Sequence, residues 1–216
     1  MSSGSQLRFG QRRKGARAYL AVSGGIGGTP VFGSRATHVP SGMGGINGRA
    51  LKTGDLVPLN DAPNARRSRR AADAIVPLPE GRATIRVLPG PQADYFAAGA
   101  VDALQSAPYT ITLQSDRMAF RLEGPRLTHS RGADIISDAT PLGVLQVPAS
   151  GQPILLMADR QTTGGYPKIA TVIAADVPLA GQLGPGDAIT FAVCTPHEAM
   201  AALIAQEQAF LRLTVD

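Results

Sequence analysis

The sequence has one cysteine, no tryptophan, and aromatic residues at only 5% of its 216 positions. Cys194 cannot form an internal disulfide, which suits a reducing compartment, and we expect a cytoplasmic protein. No stretch reaches the roughly 18 apolar residues of a membrane helix, and the first residues lack the apolar segment of a signal peptide. We therefore expect neither a membrane protein nor a secreted one.

Motifs for several common chemistries are also missing. The sequence has no phosphate-binding loop, no nucleophile elbow, no zinc-protease motif and no cysteine pair. His38, His129 and His197 lie far apart without ligand-like spacing, so no metal site is predicted. Cys194 follows an apolar run, where a buried, inert thiol is favoured over a nucleophile.

Glycine and proline are abundant, with 25 and 17 residues, and 44% of the residues are hydrophobic. This composition predicts a folded chain of short elements joined by tight turns and argues against a long helical bundle. The formal net charge of +5 comes from two basic clusters, residues 12–17 and 66–70. Neither cluster contains an aromatic residue for base stacking, so we expect no nucleic-acid partner.

Three segments differ in pattern. Residues 1–59 contain short apolar runs around a glycine-dense middle, residues 60–83 form a polar linker rich in arginine and proline, and residues 84–216 are more regular. In this last segment, three stretches alternate between apolar and polar residues and four further runs are strand-like, so a series of strands is predicted. The predicted strands cover residues 84–88, 109–113, 118–122, 143–147, 154–157, 169–173 and 188–193. Their close spacing favours an antiparallel barrel or sandwich.

Two helices are predicted beside these strands. Apolar residues at helical spacing indicate one within residues 91–105. The second begins at Thr195, because this residue at the N-cap, Pro196 at the first position and Glu198 at the third form a capping box. We expect it to cross the mouth or flank of the barrel through an apolar stripe. The stripe consists of Met200, Leu203, Ile204 and Leu211.

The most unusual segment is residues 159–168, with the sequence DRQTTGGYPK between two apolar runs. Its paired glycines allow a ligand to approach the backbone, and successive amides can form a nest for an anion. The donors and acceptors that make it a candidate site are Asp159, Gln161, Thr162, Thr163, Gly164, Gly165, Tyr166 and Lys168. The alternative is a hairpin turn with structural glycines, and the pattern leaves both interpretations open.

Two further places carry candidate residues. Arg35, next to Ser34, offers a planar fork suited to a carboxylate or a phosphate, or it is an exposed arginine in a turn. Gln146 is a polar residue within an apolar strand, where it satisfies a buried backbone group or points into a site.

An ordered set of motifs resembles the KipA/allophanate-hydrolase-subunit-2 family. The motifs are AYLAV (18–22), GSRAT (33–37), LKTGD (51–55), VLPGP (87–91), DRM (116–118), RLEGP (121–125), LQVP (145–148), GQPI (151–154) and ADRQTTGGYPK (158–168). The resemblance implies cyclophilin-like β-barrels. Family members begin with a further segment, so we expect a partial first barrel in residues 1–59 and a complete second barrel with its C-terminal helix in residues 84–216.

The family includes the C-type component of ATP-dependent 5-oxoprolinase, which implies opening of 5-oxoproline to glutamate. The implied partners are a KipI-like companion, which is the B-type component, and an A-type protein, with ATP and Mg in the assembled complex. By this resemblance, Arg35 and Lys168 bind negative charge on the ligand, and the segment 162–165 binds an oxyanion or phosphate. Asp159 and Gln146 position groups by hydrogen bonding, and Tyr166 forms a wall of the pocket.

Two other functions stay open within the same resemblance. One is a carboxyltransferase component acting on urea or a related substrate. None of the lysines, Lys14, Lys52 and Lys168, lies between methionines, so we do not expect biotin to be attached to this chain. The other is a regulator that binds a KipI-like kinase inhibitor without turning over a substrate.

Overall fold

A computed structural model describes residues 4–61 and 77–214 of the chain. The chain divides into two units, one of Met1–Arg17 with Ala71–Asp216 and the other of Ala18–Arg70. This division differs from the one expected at residues 59 and 83, because the first 17 residues group with the later part of the chain. The second basic cluster, in the predicted linker, lies outside the described residues.

Residues 18–61 contain little regular structure. Two short strands, Thr37–His38 (β1) and Met43–Gly44 (β2), pair antiparallel and flank a 3₁₀ turn at Val39–Ser41. The apolar runs at residues 18–22 and 55–59 form no strand, although Leu59 makes one isolated bridge. The partial first barrel therefore stays a prediction.

The larger unit is built from strands of two to eight residues. They are Arg82–Pro89 (β3), Tyr109–Ile111 (β4), Ala119–Glu123 (β5), Asp138–Ala139 (β6), Val144–Gln146 (β7), Ile154–Leu156 (β8), Thr163–Gly164 (β9), Lys168–Val172 (β10) and Ala188–Val193 (β11). Seven of them close into a barrel in the order β10, β3, β11, β4, β5, β8, β7, and β6 pairs with β9 in a separate two-stranded sheet. The structure confirms the mainly β barrel that the sequence predicted.

The barrel closes through one parallel contact. Strands β3 and β11 pair in parallel over six residues, and the other barrel contacts in the described chain are antiparallel. Alternation along β3 turns Ile85 and Val87 fully inward, where both are 0% exposed. Tyr109 is also buried, its hydroxyl donates to the carbonyl of Pro125 at 2.9 Å, and burial raises its pKa to about 12.

The described residues also form three α-helices: Ala100–Ser106 (α1), Val177–Ala180 (α2) and Pro196–Thr214 (α3). The capping box that predicts the start of α3 is confirmed, since the Glu198 carboxylate accepts the Thr195 amide at 2.7 Å and the Thr195 hydroxyl accepts the Glu198 amide at 3.2 Å. None of the helices in the described ranges combines the length and apolar character that a membrane span requires.

The predicted apolar stripe of α3 is wrong in its orientation. Met200, Ile204 and Leu211 are 57%, 50% and 63% exposed, and only Leu203 of the four predicted residues is partly buried. The helix contacts a 3₁₀ turn at Ala174–Asp176, and Gln206 Nε2 donates to the carbonyl of Ala175 at 3.1 Å. A polar side chain thus makes a contact that a hydrophobicity pattern cannot reveal.

The first basic cluster attaches the N-terminal segment to the larger unit. Arg12 pairs with the buried carboxylate of Asp187. The amides of Ala16 and Arg17 both donate to Oε1 of Gln182, at 3.1 and 3.0 Å. Arg12 and the backbone of Arg17 therefore hold the N-terminal segment against residues 182–187.

Candidate functional site

Two buried polar side chains lie next to each other on neighbouring barrel strands. Gln146 ends β7 and Lys168 begins β10, and the antiparallel register pairs them directly. Paired residues of antiparallel strands share one face of the sheet, so both side chains lie on the same side of the barrel wall. Gln146 is 2% and Lys168 is 1% exposed, which is unusual for either residue type and marks a built polar site.

Lys168 is held by an ion pair with Asp138. Its Nζ atom lies 2.7 Å from Oδ2 of Asp138, and their side chains are 2% and 51% exposed. The hydrogen bond from Lys168 lowers the pKa of the Asp138 carboxyl, and the amide of Ala139 and the charge of Lys168 lower it further. The ammonium is thus neutralised by a carboxylate that still faces solvent.

The small sheet of β6 and β9 positions this carboxylate. Asp138 pairs with Gly164 and Ala139 with Thr163, so two residues of the segment 159–168 form a strand beside the lysine's partner. We call this two-stranded sheet the β6–β9 arm. It is extended by a hydrogen bond from the amide of Ile135 to the carbonyl of Gly165 at 2.7 Å and by one from the amide of Thr140 to the carbonyl of Thr162 at 3.0 Å. A two-stranded sheet of this length is marginally stable alone, so its position depends on these hydrogen bonds and on the Lys168–Asp138 pair.

Gln92 contacts both members of the Lys168–Asp138 ion pair. Gln92 Oε1 accepts the amide of Lys168 at 3.3 Å, and its Nε2 lies 3.5 Å from Oδ2 of Asp138. The preceding Gly90 is required by close approach, because a Cβ there would lie 2.2 Å from the carbonyl oxygen of Lys168. The motif VLPGP thus ends β3 at a turn whose backbone lies against the backbone of Lys168.

Gln146 connects the lysine to the rest of the segment. Its Oε1 accepts Nε2 of Gln161 at 3.2 Å, and its own Nε2 lies 3.5 Å from the carbonyl of Tyr166. The Thr140 hydroxyl donates to the carbonyl of Gln161, and Arg160 Nε donates to the carbonyl of Thr140 at 2.7 Å. The result is a connected polar network on the outer wall of the barrel.

The paired glycines have a packing role in this network. Gly164 lies in the extended strand β9, and a Cβ on it would lie 2.8 Å from Nε2 of Gln146 and 3.1 Å from Nε2 of Gln161. Neither Gly164 nor Gly165 has a positive φ, the backbone geometry expected for part of an anion nest. Gly164 instead lets two glutamine amides lie against the backbone. The exposed Thr162, Thr163 and Tyr166 border the same strand.

The remaining predicted residues have other partners. Asp159 makes an ion pair with Arg117, with Oδ2 at 2.7 Å from Nε and Oδ1 at 3.1 Å from Nη2. Arg35 and Ser34 belong to the smaller unit, where the Arg35 Nε donates to the carbonyl of Gly28 at 3.1 Å and the Ser34 hydroxyl accepts the amide of Ala36. The polar network around Lys168 therefore contains five of the predicted residues: Gln146, Gln161, Gly164, Tyr166 and Lys168.

Sequence reasoning missed Asp138, Gln92, Thr140 and Arg160. Asp138 and Thr140 lie in a polar stretch without periodicity, and nothing local indicates that it folds back onto β10. The one available signal is electrostatic, because a lysine inside an apolar strand pattern requires a carboxylate partner. The sequence does not say which of several exposed acidic residues provides it.

Comparison with known proteins decides the family. Residues 1–193 match the family model described as the carboxyltransferase domain, subdomains A and B. The chain belongs to the carboxyltransferase-domain family. The resemblance seen in the sequence motifs is thereby confirmed.

Named relatives agree with this assignment. The C-type component of 5-oxoprolinase from Escherichia coli (strain K12) is 40% identical over 213 residues, which cover 99% of this chain and 67% of the relative. The corresponding 5-oxoprolinase component of Haemophilus influenzae is 39% identical, over 90% of this chain and 63% of the relative. The carboxyltransferase-domain chain described here thus spans about two thirds of the length of these curated relatives.

A solved structure shows the same fold in a different enzyme. The urea amidolyase of Kluyveromyces lactis superimposes with a TM-score of 0.77 at 28% identity, covering 91% of this chain and 13% of that chain. The fold therefore occurs in the family both in the components of a complex and within a longer polypeptide.

Proposed function

We propose that this chain is the C-type component of an ATP-dependent 5-oxoprolinase and that Lys168 binds the negative charge of the substrate. The observation that supports this most strongly is the buried Lys168–Asp138 pair beside Gln146, in a chain 40% identical to the C-type component of a 5-oxoprolinase. A buried ammonium with a half-exposed counter-ion can exchange its partner for a negatively charged oxygen of the ligand. The site then keeps its charge balance when the ligand binds.

The chemistry of 5-oxoproline fits such a site. The substrate has one carboxylate and one lactam, and its ring opens when water adds to the lactam carbonyl and the C–N bond breaks. Negative charge develops on the carbonyl oxygen as water adds, and a fixed cation or amide donor stabilises it. Lys168 serves as the cation, and the amide groups of Gln146 and Gln161 serve as neutral hydrogen-bonding groups for the lactam.

Access requires the β6–β9 arm to move. Asp138 covers the ammonium, and Ile136, two residues before it, is 94% exposed. An exposed apolar side chain on this polar arm is a suitable contact for a partner protein, which would hold the arm away from Lys168. We assign to the wider complex a KipI-like B-type component and an A-type protein, working in the cytoplasm.

The nucleotide is assigned to the complex and not to this chain's residues. Within the described ranges, no group of three His, Cys, Asp or Glu side chains is arranged to hold a metal ion by itself. Arg35 in the smaller unit and the hydroxyls of Thr162 and Thr163 stay candidate anion donors, and Asp159 stays a candidate for positioning. We derive no step through the nucleotide.

The test is activity in the complex reconstituted from its three components. Replacing Lys168 with methionine should lower glutamate formation from 5-oxoproline at least about tenfold, since a charge-assisted contact in the transition state is lost. Lys52→Met, at an exposed lysine of the smaller unit, is the matched control and should leave activity unchanged. Circular dichroism and co-purification with the partners show whether Lys168→Met still folds and assembles. Full activity in a folded Lys168→Met complex would refute the role of the lysine.

A second candidate function has its own support. The family model is that of a carboxyltransferase domain, and the fold superimposes on a urea amidolyase at a TM-score of 0.77. In that case the same cation would stabilise the oxyanion formed during carboxyl transfer from a biotinylated partner. Avidin distinguishes the two functions, because it inhibits a biotin-dependent reaction and leaves a 5-oxoprolinase unaffected.

A further inference from the structure

A separate groove of about 310 Å³ lies on the outer wall of the barrel. It is formed by the end of β4, by β5, by the start of β8 and by the loop that precedes β8. A cavity of this size lies at the lower end of the range for small-molecule sites, so its ligand must be small. None of the residues assigned to the Lys168 network lines it.

Strand register places the groove's side chains in a defined row. The amide of Thr112 donates to the carbonyl of Arg121 at 2.9 Å, which continues the β4–β5 pairing by one residue, and Arg121 pairs with Ile154 of β8. Antiparallel partners share one face, so Thr112, Arg121 and Ile154 form a row across three strands. Glu123 lies two residues beyond Arg121 on the same face, about 7 Å along the strand.

The row presents two opposite charges that do not neutralise each other. Within the described ranges, neither Arg121 nor Glu123 has an ion-pair partner, and both side chains are exposed. By contrast, Arg86, Arg117 and Arg131 each pair with an aspartate. An arginine and a glutamate on one wall, both available, match a ligand that carries a carboxylate and an ammonium close together.

A buried hydroxyl marks the end of the same row. The Thr112 Oγ1 atom is shielded from solvent and has no hydrogen-bond partner among the described residues. A buried polar group without a partner is costly in free energy, and such groups are rare. The neighbouring Gln152 is not available to it, because both ends of its amide bind the backbone of Gly124, at 2.9 and 3.1 Å.

We propose that this groove binds a small α-amino acid with an aliphatic side chain. Arg121 takes the carboxylate, and Glu123 takes the ammonium. Pro148 and Ile154 form the apolar wall that receives the aliphatic group. The proposal does not depend on the oxoprolinase assignment, since it concerns other residues and a ligand that binds without reaction.

The proposal is tested by binding three small molecules to the full chain. All three have the same branched aliphatic group and differ in the charged groups that they carry. L-leucine carries both charges, 4-methylpentanoate lacks the ammonium, and 3-methylbutylamine lacks the carboxylate. We expect L-leucine to shift the NMR amide signals of β4 and β5 in a saturable manner and to bind at least about tenfold more tightly than either partial probe, because each charged contact contributes separately.

Charge-neutral variants complete the test. Arg121→Gln and Glu123→Gln should each weaken L-leucine binding at least about tenfold, and Arg82→Gln, at an exposed arginine on another barrel strand, should leave it unchanged. The proposal is overturned if L-leucine does not bind, if it shifts only signals around Lys168, or if both variants bind it normally. Equal binding of L-leucine and 4-methylpentanoate with no effect of Glu123→Gln would overturn it as well, because the groove would then recognise only an anion.

Discussion

The barrel and the smaller unit of residues 18–61 differ in what holds them together. The barrel buries a continuous apolar core, in which Ile85, Leu145 and Leu155 are 0% exposed. Among residues 18–61, only Gly27 and Gly48 are buried, and side chains such as Phe32 and Leu56 are 95% and 90% exposed. The smaller unit is therefore held mainly by backbone hydrogen bonds, turns and an ion pair, and these contribute little net stability in water.

This difference indicates where the stability of the chain resides. Burial of apolar surface is the dominant favourable contribution to folding, and nearly all of it in the described chain occurs in the larger unit. Glycines with positive φ can specify the path of the smaller unit, but they cannot bury apolar surface. Substitutions in the two units should therefore have very different consequences.

The largest effect should come from shortening a core side chain of the barrel. Leu145→Ala should lower the free energy of unfolding by about 2–5 kcal/mol, because it removes buried methyl groups and leaves a cavity. Leu56→Ala, the same change at an exposed leucine of the smaller unit, should change it by less than about 0.5 kcal/mol. Urea denaturation followed by circular dichroism measures both. Equal losses would show that the smaller unit buries Leu56 in solution.

A smaller effect, with a pH signature, should follow from Asp138→Asn. The pKa of this carboxyl is lowered from its ordinary value of 3.8, mainly by the Lys168 hydrogen bond, so its stabilising contribution is present above 3.8 and is lost as the pH falls through the lowered pKa. The variant should melt below the unmodified protein at pH 7, and the two melting temperatures should converge at strongly acidic pH. A difference that is independent of pH would mean that Asp138 acts by packing and not by charge.

Local patterns predicted the barrel well because its strands either alternate, as β3 and β5 do, or are short apolar runs, as β8 is. Ile85 and Val87 face inward beside outward-facing Arg86, and such periodicity can be seen without a structure. The start of α3 was equally visible, since the cap at Thr195 is a local arrangement. The parallel β3–β11 pair was not predicted, because it joins residues about a hundred positions apart and leaves no local signature.

The candidate site was only partly predictable for the same reason. Lys168 and Gln146 stand out as polar residues in apolar strands, and the structure places them side by side. Their relation to Asp138 depends on how the stretch between β5 and β7 folds back, which is a tertiary property. The exposed face of α3 was mispredicted because the position of the helix depends on tertiary contacts such as the Gln206–Ala175 hydrogen bond and not on hydrophobicity alone.

Within the barrel unit, one substitution should fail to destabilise. Thr112→Val removes a buried hydroxyl that has no partner among the described residues and keeps the shape of the side chain, so it should raise the free energy of unfolding by at most about 1 kcal/mol. Chemical denaturation of the ligand-free protein measures the change. A loss above this size would show that the hydroxyl forms a hydrogen bond in solution. Thr110→Val, at an exposed threonine of β4, is the matched control.

The smallest effect on overall stability should come from the smaller unit's own ion pair. The Arg49 guanidinium contacts both oxygens of Asp55, at 2.7 and 2.9 Å, and this hydrogen bonding is the main reason why the pKa of the Asp55 carboxyl is far below its ordinary range. Arg49→Gln should increase amide hydrogen exchange around residues 49–55 and leave exchange in the barrel strands unchanged, because the core does not depend on this pair. If the protection of β3 and β11 against hydrogen exchange fell as well, the two regions would unfold as one cooperative unit. The conclusion that the stability of the barrel is independent of the smaller unit would then be wrong.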